Sequence, residues 1–286
     1  MRISIFVGRE RLRYAQEKKD QKDKEVIGWP FYSWHHSTHI ISSTSLIHVF
    51  YILRFAGNMS EEAPEVIVEY AYDHISEWYL QWVDSQKSPR ERYAKRLLEE
   101  LQPSPAILEL GCGPGVPILK MLLDHGAHVV ANDISTKQIE LAKARFPSTT
   151  LVAGDMTALT FEPESFHGAV SFYTLFHLPR SKLKAMLAKV HRWLRPGGIF
   201  VFNLATINEE EIYGEFLGYG MFWSSYDVDG NQALLREVGF DLLQVEVLQA
   251  GDGKLEEDDP DFDAEFMWVV ARKKESPAEH NAGTMG

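Results

Sequence analysis

Ala106-Ile107-Leu108-Glu109-Leu110-Gly111-Cys112-Gly113-Pro114-Gly115 runs an apolar segment into three glycines at alternate positions, and a helical pattern opens at Val116. A strand that feeds a glycine-rich turn and then a helix lets a nucleotide-like ligand lie against bare backbone. Glycine is needed there twice over: a side chain would hold the ligand off, and the turn calls for positive φ. The spacing also argues against something. The dinucleotide fingerprint Gly-x-Gly-x-x-Gly needs glycine at position 116, where Val116 stands.

Four further passages follow. His128-Val129-Val130-Ala131-Asn132-Asp133-Ile134-Ser135 is a short buried strand that ends in a carboxylate, 22 positions past Gly111. A carboxylate about 20 residues beyond the glycines is placed to accept both ribose hydroxyl protons. Alternatively, Asp133 caps the helix starting near Thr136, a task open to Ser135 as well. Leu151 to Thr157 is a strand ending in Gly154-Asp155-Met156. Phe166 to Pro179 holds a buried strand, Gly168 to Ser171, that runs into a turn. Leu194-Arg195-Pro196-Gly197-Gly198-Ile199-Phe200-Val201-Phe202 reads as a helix end, a turn and a hydrophobic strand.

Taken in order across residues 106–203, these five passages resemble the class I S-adenosylmethionine-dependent methyltransferases of the small-molecule type, methyltransferase domain 25/11-like. The resemblance implies S-adenosylmethionine as cofactor and S-adenosylhomocysteine as product. It implies a cofactor site made of Glu109, Gly111, Cys112, Gly113 and Gly115, then Asp133 and Ile134, Asp155 and Met156, and Ser171. In the family the residue matching Asp155 accepts from the adenine amine and the next one packs on the ring; a plain turn aspartate is the other reading. Cys112, between two glycines, reads as a spacer rather than a nucleophile. Tyr72-Asp73-His74-Ile75-Ser76-Glu77-Trp78-Tyr79 resembles the family's N-terminal lid, with Tyr72 over the methionine end. Aromatic faces there favour a sulfonium cation, although such residues at helical spacing also serve simply to pack on a core.

Strands near 106–110, 128–132, 150–154, 168–173 and 198–204 alternate with helices near 116–125, 135–145 and 181–194. Such alternation makes a parallel sheet covered on both faces. A helix over 231–238, stopped by Gly239, precedes strands at 242–248 and 265–271. The expected fold class is α/β: a Rossmann-like doubly wound seven-stranded sheet, mostly parallel, whose antiparallel last strand is implied by the resemblance. Residues 1–58 are expected to be an extension outside the working enzyme or, alternatively, a weakly membrane-associating segment. The helical lid is expected over 59–104 and the methyltransferase domain over 105–274, with an acceptor-pocket insertion at 206–228. A disordered tail is expected over 275–286.

A net charge of −12 argues against a nucleic-acid substrate, which calls for a basic stripe. One cysteine precludes an internal disulfide and fits a cytoplasmic protein. No Cys/His cluster has zinc-ligand spacing, so no metal is expected. The apolar run over 40–56 is too interrupted for stable membrane insertion. The expected partner is a small-molecule acceptor, aromatic or lipophilic and of the secondary-metabolism kind, methylated on O, N or C. His177, just past the fourth strand, is the candidate base, or else a packing residue at the start of a helix; no partner for it is visible in the sequence. Tyr173, Trp223 and Tyr226 are the expected acceptor contacts, and Glu209-Glu210-Glu211 reads as the solvated start of a helix. A donor-binding protein that transfers no methyl (regulatory or pericyclic) is the alternative. An NAD-dependent oxidoreductase is disfavoured by Val116. Oligomeric state leaves no signal in these residues.

Overall fold

The structure, a computed structural model, describes residues 62–85, 88–250, 261–262 and 264–274. The extension expected over 1–58, the tail over 275–286 and most of the acidic loop 256–263 lie outside the described residues.

The hydrophobic runs become the strands of one seven-stranded sheet. In chain order these are β1 (Ala106–Leu110), β2 (His128–Asp133), β3 (Thr150–Ala153), β4 (Phe166–Ser171), β5 (Leu194–Ala205), β8 (Phe240–Gln249) and β9 (Glu265–Lys273). Their spatial order is β3-β2-β1-β4-β5-β9-β8. The first five are mutually parallel; β9 lies antiparallel between β5 and β8. This is the doubly wound Rossmann-like architecture with an antiparallel last strand. Both faces are covered, so the central strands are buried without alternation. Val170, Val201 and Val270 face one core, and Ala169, Phe200 and Val269 face the other.

Among the described residues, six helices complete the layers: α1 (Pro64–Ser85), α2 (Arg90–Glu100), α3 (Ile118–Asp124), α4 (Thr136–Arg145), α5 (Arg180–Trp193) and α6 (Val228–Val238). α6 ends at Gly239 in the left-handed conformation. Chain order reverses direction between β1 and β4, and in such sheets the crevice outside the carboxyl ends of those strands takes the ligand.

The connection after β5 differs from expectation. Glu209-Glu210-Glu211 does not start a helix. It opens β6 (Glu209–Phe216), which pairs antiparallel with β7 (Tyr219–Ser225). The two-residue loop Leu217-Gly218 has both residues at positive φ (54° and 85°), the turn that suits the twist of a tight hairpin. Cross-strand pairs Ile212–Trp223 and Tyr213–Phe222 outweigh the helical leaning of three glutamates, which stay exposed as a strand's outer residues. On the hairpin's inner side, Met221 and Phe222 pack against Val68 and Ala71 of α1. Lid helix and hairpin thereby form one wall over the crevice.

Candidate active site

A cleft of about 710 Å³, including the part that opens to solvent, lies at the carboxyl ends of β1 and β4. Its floor is the glycine turn. Gly111 has φ of +73°, and a Cβ built on it would stand 2.0 Å from Thr174 Oγ1, so the turn is packed directly on the loop after β4. Gly113, at φ +54°, has only Tyr79 within 4 Å of a built Cβ, at 3.5 Å, and leaves its backbone bare to the cleft. The turn is tied to β2: the backbone N–H groups of Gly111 and Cys112 both donate to the Asn132 carbonyl, at 2.7 and 2.9 Å.

Asp133, at the end of β2, is 8% exposed and lines the same cleft. Gly113 N–H donates to its Oδ2 at 2.8 Å and Ser135 N–H to its Oδ1 at 2.9 Å. Each oxygen keeps a lone pair for a further donor. Burial raises its pKa to about 6 against the pull of those two backbone donors, so it is mostly ionised at neutral pH. The helix-cap role falls instead to Ser135, whose hydroxyl accepts from Gln138 N–H. Ile134, next in the chain, lines the cleft beside it.

Asp155 and Met156 line the same cleft just after β3, the strand paired with β2. The Asp155 carboxylate caps a short 3₁₀ turn over Met156–Ala158, accepting from Thr157 N–H at 2.7 Å and Thr157 Oγ1–H at 2.6 Å. Met156 is 8% exposed and lines the crevice.

His177 closes the other end. Its Nδ1 lies 2.8 Å from the carbonyl of Phe222 on β7, and its Nε2 lies 3.1 Å from the Tyr72 hydroxyl on α1. A carbonyl only accepts, so Nδ1 carries the proton, Nε2 carries the lone pair and Tyr72 donates to it. Burial drives the imidazole pKa down to about 4 and pushes the Tyr72 phenol well up, so both are neutral at pH 7. The partner that the sequence did not reveal is therefore Tyr72, 105 positions away. Tyr79 stands edge-on to Tyr72, ring centroids 5.6 Å apart. Two further contacts hold α1 down. The Asp73 carboxylate accepts from Ser135 Oγ at 2.6 Å, and Glu65 pairs with Lys182 at 2.9 Å.

Tyr72, Gly111, Gly113, Asp133, Ile134, Asp155, Met156, Tyr173 and His177 thus come together around one cleft. Glu109, Cys112, Gly115, Ser171, Trp223 and Tyr226 do not line it. Glu109 is buried in β1 with Oε2 unpartnered, and burial raises its pKa well above the usual carboxylate range. Cys112 is likewise buried, its thiol pKa pushed up by desolvation. Gly115 backs onto the Phe146 ring. Ser171 is buried at the end of β4 with its hydroxyl unpartnered. Trp223 sits behind His177, ring centroids 6.3 Å apart, and Tyr226 lies under the Arg180 guanidinium at 4.3 Å. Tyr173, at φ 56°, stacks under Arg90 at 5.0 Å, its phenol pKa raised by burial to about 12. Sequence reasoning passed over Gln138, Thr174 and the Glu65–Lys182 pair. Only Gln138 carried a signal, as the third residue of a helix that begins beside the ribose-type carboxylate.

Residues 107–198, from β1 to the start of β5, match the family profile described as "Methyltransferase domain". Over that segment, about a third of the chain, the protein is similar to S-adenosylmethionine-dependent methyltransferases. Among similar proteins, 24-methylenesterol C-methyltransferase 2 of Oryza sativa subsp. japonica is 32% identical over 117 residues, 38% of this chain and 32% of the relative. Methyltransferase GfsG of Streptomyces halstedii is 26% identical over 212 residues, 67% of this chain and 74% of the relative. The chain spans about a third to a half of the length of most curated relatives it matches. The fold is shared with Burkholderia thailandensis 1,6-didemethyltoxoflavin-N1-methyltransferase, solved with its acceptor and S-adenosylhomocysteine bound. That likeness has a TM-score of 0.55 at 15% identity and covers 84% of this chain and 94% of the other. The residues of the cleft fit S-adenosylmethionine, the cofactor of the proteins it is similar to, on their own terms. The glycine turn is bare where a ligand would lie, Asp133 has accepting capacity to spare, and the Gln138 amide is buried without a partner.

Proposed function

We propose that the protein transfers a methyl group from S-adenosylmethionine to an O, N or C atom of a small aromatic or lipophilic acceptor. The observation that carries this reading is the juxtaposition, in one cleft, of the bare glycine turn, the Asp133 carboxylate and the tautomer-locked His177. Gly111, Gly113, Asp133, Ile134, Asp155 and Met156 hold the nucleoside, and Tyr72 on the lid helix covers the opposite end. When bound, the donor supplies an electrophilic methyl on a sulfonium. The chain's own task is then to align the acceptor, exclude water and remove a proton. As the acceptor's bond to the methyl forms, its proton passes to the Tyr72 hydroxyl, which gives its own proton to the lone pair of His177 Nε2. With a pKa near 4 the imidazole is a weak base, but it is fully unprotonated at neutral pH. That suffices for an acceptor whose acidity rises as the methyl arrives. Tyr72, Tyr79, Phe172 and Tyr173 give the cleft aromatic walls, which suit a planar or lipophilic acceptor. The names of the relatives, among them sterol C-methyltransferases and an O-methyltransferase, agree with small-molecule acceptors. Among the described residues no helix is long and apolar enough to cross a membrane; cytoplasmic residence and a role in secondary metabolism belong to the same proposal.

The test is incubation with methyl-labelled donor and a fractionated metabolite extract. Label recovered in an organic-soluble product supports transfer. Tight donor binding with no labelled product would favour the non-transferring alternative.

Donor affinity should also depend on pH through Asp133. Ribose hydroxyls donate best to the ionised carboxylate, which forms as pH rises through about 6. S-adenosylhomocysteine should therefore bind about tenfold more tightly at pH 7 than at pH 5, following the ionised fraction. Asp133→Asn should flatten the profile. A flat profile in the wild type would remove Asp133 from the ribose site.

A further inference from the structure

We propose that Asn203 is a positioning residue for the proton transfer: its side-chain oxygen holds Tyr173 in a reversed backbone conformation, and that turn delivers His177 to Tyr72. The inference rests on the reading of His177 as the final proton acceptor and names a residue which that reading does not use. Asn203 lies in β5, fully buried, and does not line the cleft. Its Oδ1 accepts from the Tyr173 N–H at 2.6 Å. An N–H only donates, so the amide must face it with its oxygen. The Nδ2 has no hydrogen-bond partner. Burying an amide with its nitrogen unpaired is unfavourable, and Val201, two residues earlier in the same strand, is apolar. What the amide supplies there, and an apolar side chain of its size would not, is the bond to Tyr173.

Tyr173 needs that hold. Its φ of 56° is left-handed, a conformation ordinary for glycine and disfavoured for a residue with a Cβ. Four non-glycine residues among those described have positive φ, and Tyr173 alone of them lines the cleft. Strain of this kind persists only where the surroundings over-determine it. The ring stands edge-on to Phe266 at 5.0 Å and to Trp268 at 5.8 Å, under the Arg90 guanidinium at 5.0 Å. Its hydroxyl lies 3.3 Å from Ser88 Oγ. Those contacts fix the side chain, and Asn203 fixes the main chain. The reversal turns the chain directly after β4, so that Thr174 packs on Gly111 and the short 3₁₀ turn Leu175–His177 begins at once. The His177 N–H donates back to the Thr174 carbonyl at 3.0 Å. Relaxation of Tyr173 to negative φ would swing that turn, and the imidazole with it, away from the Tyr72 hydroxyl and the Phe222 carbonyl.

Nitrogen NMR of the full chain, carrying isotope-labelled histidine, tests this at neutral pH. In the wild type the His177 signals, assigned by their loss in His177→Ala, should show one tautomer, protonated at Nδ1 and bare at Nε2. Asn203→Leu keeps the size, removes the accepting oxygen and should lose that pattern, giving the averaged signals of a ring in both tautomers. Asn203→Leu combined with Tyr173→Gly should regain the single tautomer, because glycine holds a φ of 56° unaided. A mixed wild type, or a single tautomer in N203L, overturns the proposal. So does a double variant as mixed as N203L, which would mark a packing role. If N203L melts early, Asn203→Asp decides instead: it keeps the accepting oxygen and should keep the single tautomer, so mixed signals contradict the assignment. S-adenosylhomocysteine titrated into the wild-type sample separates the two claims. Absence of binding there overturns the donor reading and with it the proton-transfer role, whereas the NMR outcomes above overturn this inference alone.

Discussion

Gly111→Ala should abolish donor binding and weaken the fold at the same time. The new Cβ would lie 2.0, 2.5 and 2.8 Å from three atoms of Thr174, distances that real contacts do not reach. Thr174 is not free to swing aside, because its Oγ1 donates to the Phe172 carbonyl at 2.8 Å. The backbone adds its own penalty: at φ +73° an alanine is disfavoured by about 1–2 kcal/mol. Either the glycine turn lifts away from the loop after β4, which spoils the cradle, or that loop shifts and takes His177 with it. The affinity for S-adenosylhomocysteine should fall at least about a hundredfold, two steps of 1.4 kcal/mol each, with a lower melting temperature. Thr174→Gly in the same chain removes all three clashing atoms and should recover part of the stability, leaving the φ penalty. Wild-type affinity in the single variant would mean that the turn does not touch the ligand.

His177→Ala should lower kcat by about 10²–10³ while leaving donor affinity near wild type, the signature of a group used only in proton transfer. The pH profile gives the sign. Burial holds the imidazole pKa at about 4, so the base is already unprotonated across pH 5.5–8, and kcat should fall only as the pH approaches 4. An inflection near 6.5 would show that His177 is solvated during turnover. Full activity of the alanine variant would mean that alignment of the acceptor alone drives transfer.

Much of this site was legible because its parts are local. A glycine turn after a strand, a carboxylate about 20 residues on and an acidic residue after the third strand are each set by a few consecutive residues, and the parallel sheet brings them to one edge. Gly111, Gly113, Asp133, Asp155 and Met156 were found this way. What stayed hidden depends on contacts distant in sequence. Tyr72 was legible only as a lid residue. That its hydroxyl meets His177 follows from α1 docking on the β6–β7 hairpin, and no spacing encodes that contact. The hairpin was concealed by Glu209-Glu210-Glu211, whose helical leaning yields to aromatic pairs across the strands and to the left-handed Leu217-Gly218 turn. Trp223 and Tyr226, chosen for being aromatic and near the acceptor region, are not among the cleft's lining residues: Trp223 packs beside His177 and Tyr226 lies under the Arg180 guanidinium. Gln138 was overlooked for a different reason: its place at the start of the helix beside Asp133 is a weak signal, since glutamine there is ordinary, and burial without a partner is what makes it stand out.

The most direct measurement is competitive calorimetry of the full chain with S-adenosylhomocysteine and NAD. The cleft described above predicts saturable one-to-one binding of S-adenosylhomocysteine, lost in Gly111→Ala, and no measurable uptake of NAD, since Val116 replaces the third glycine of the dinucleotide fingerprint. Tighter binding of NAD than of S-adenosylhomocysteine would contradict it.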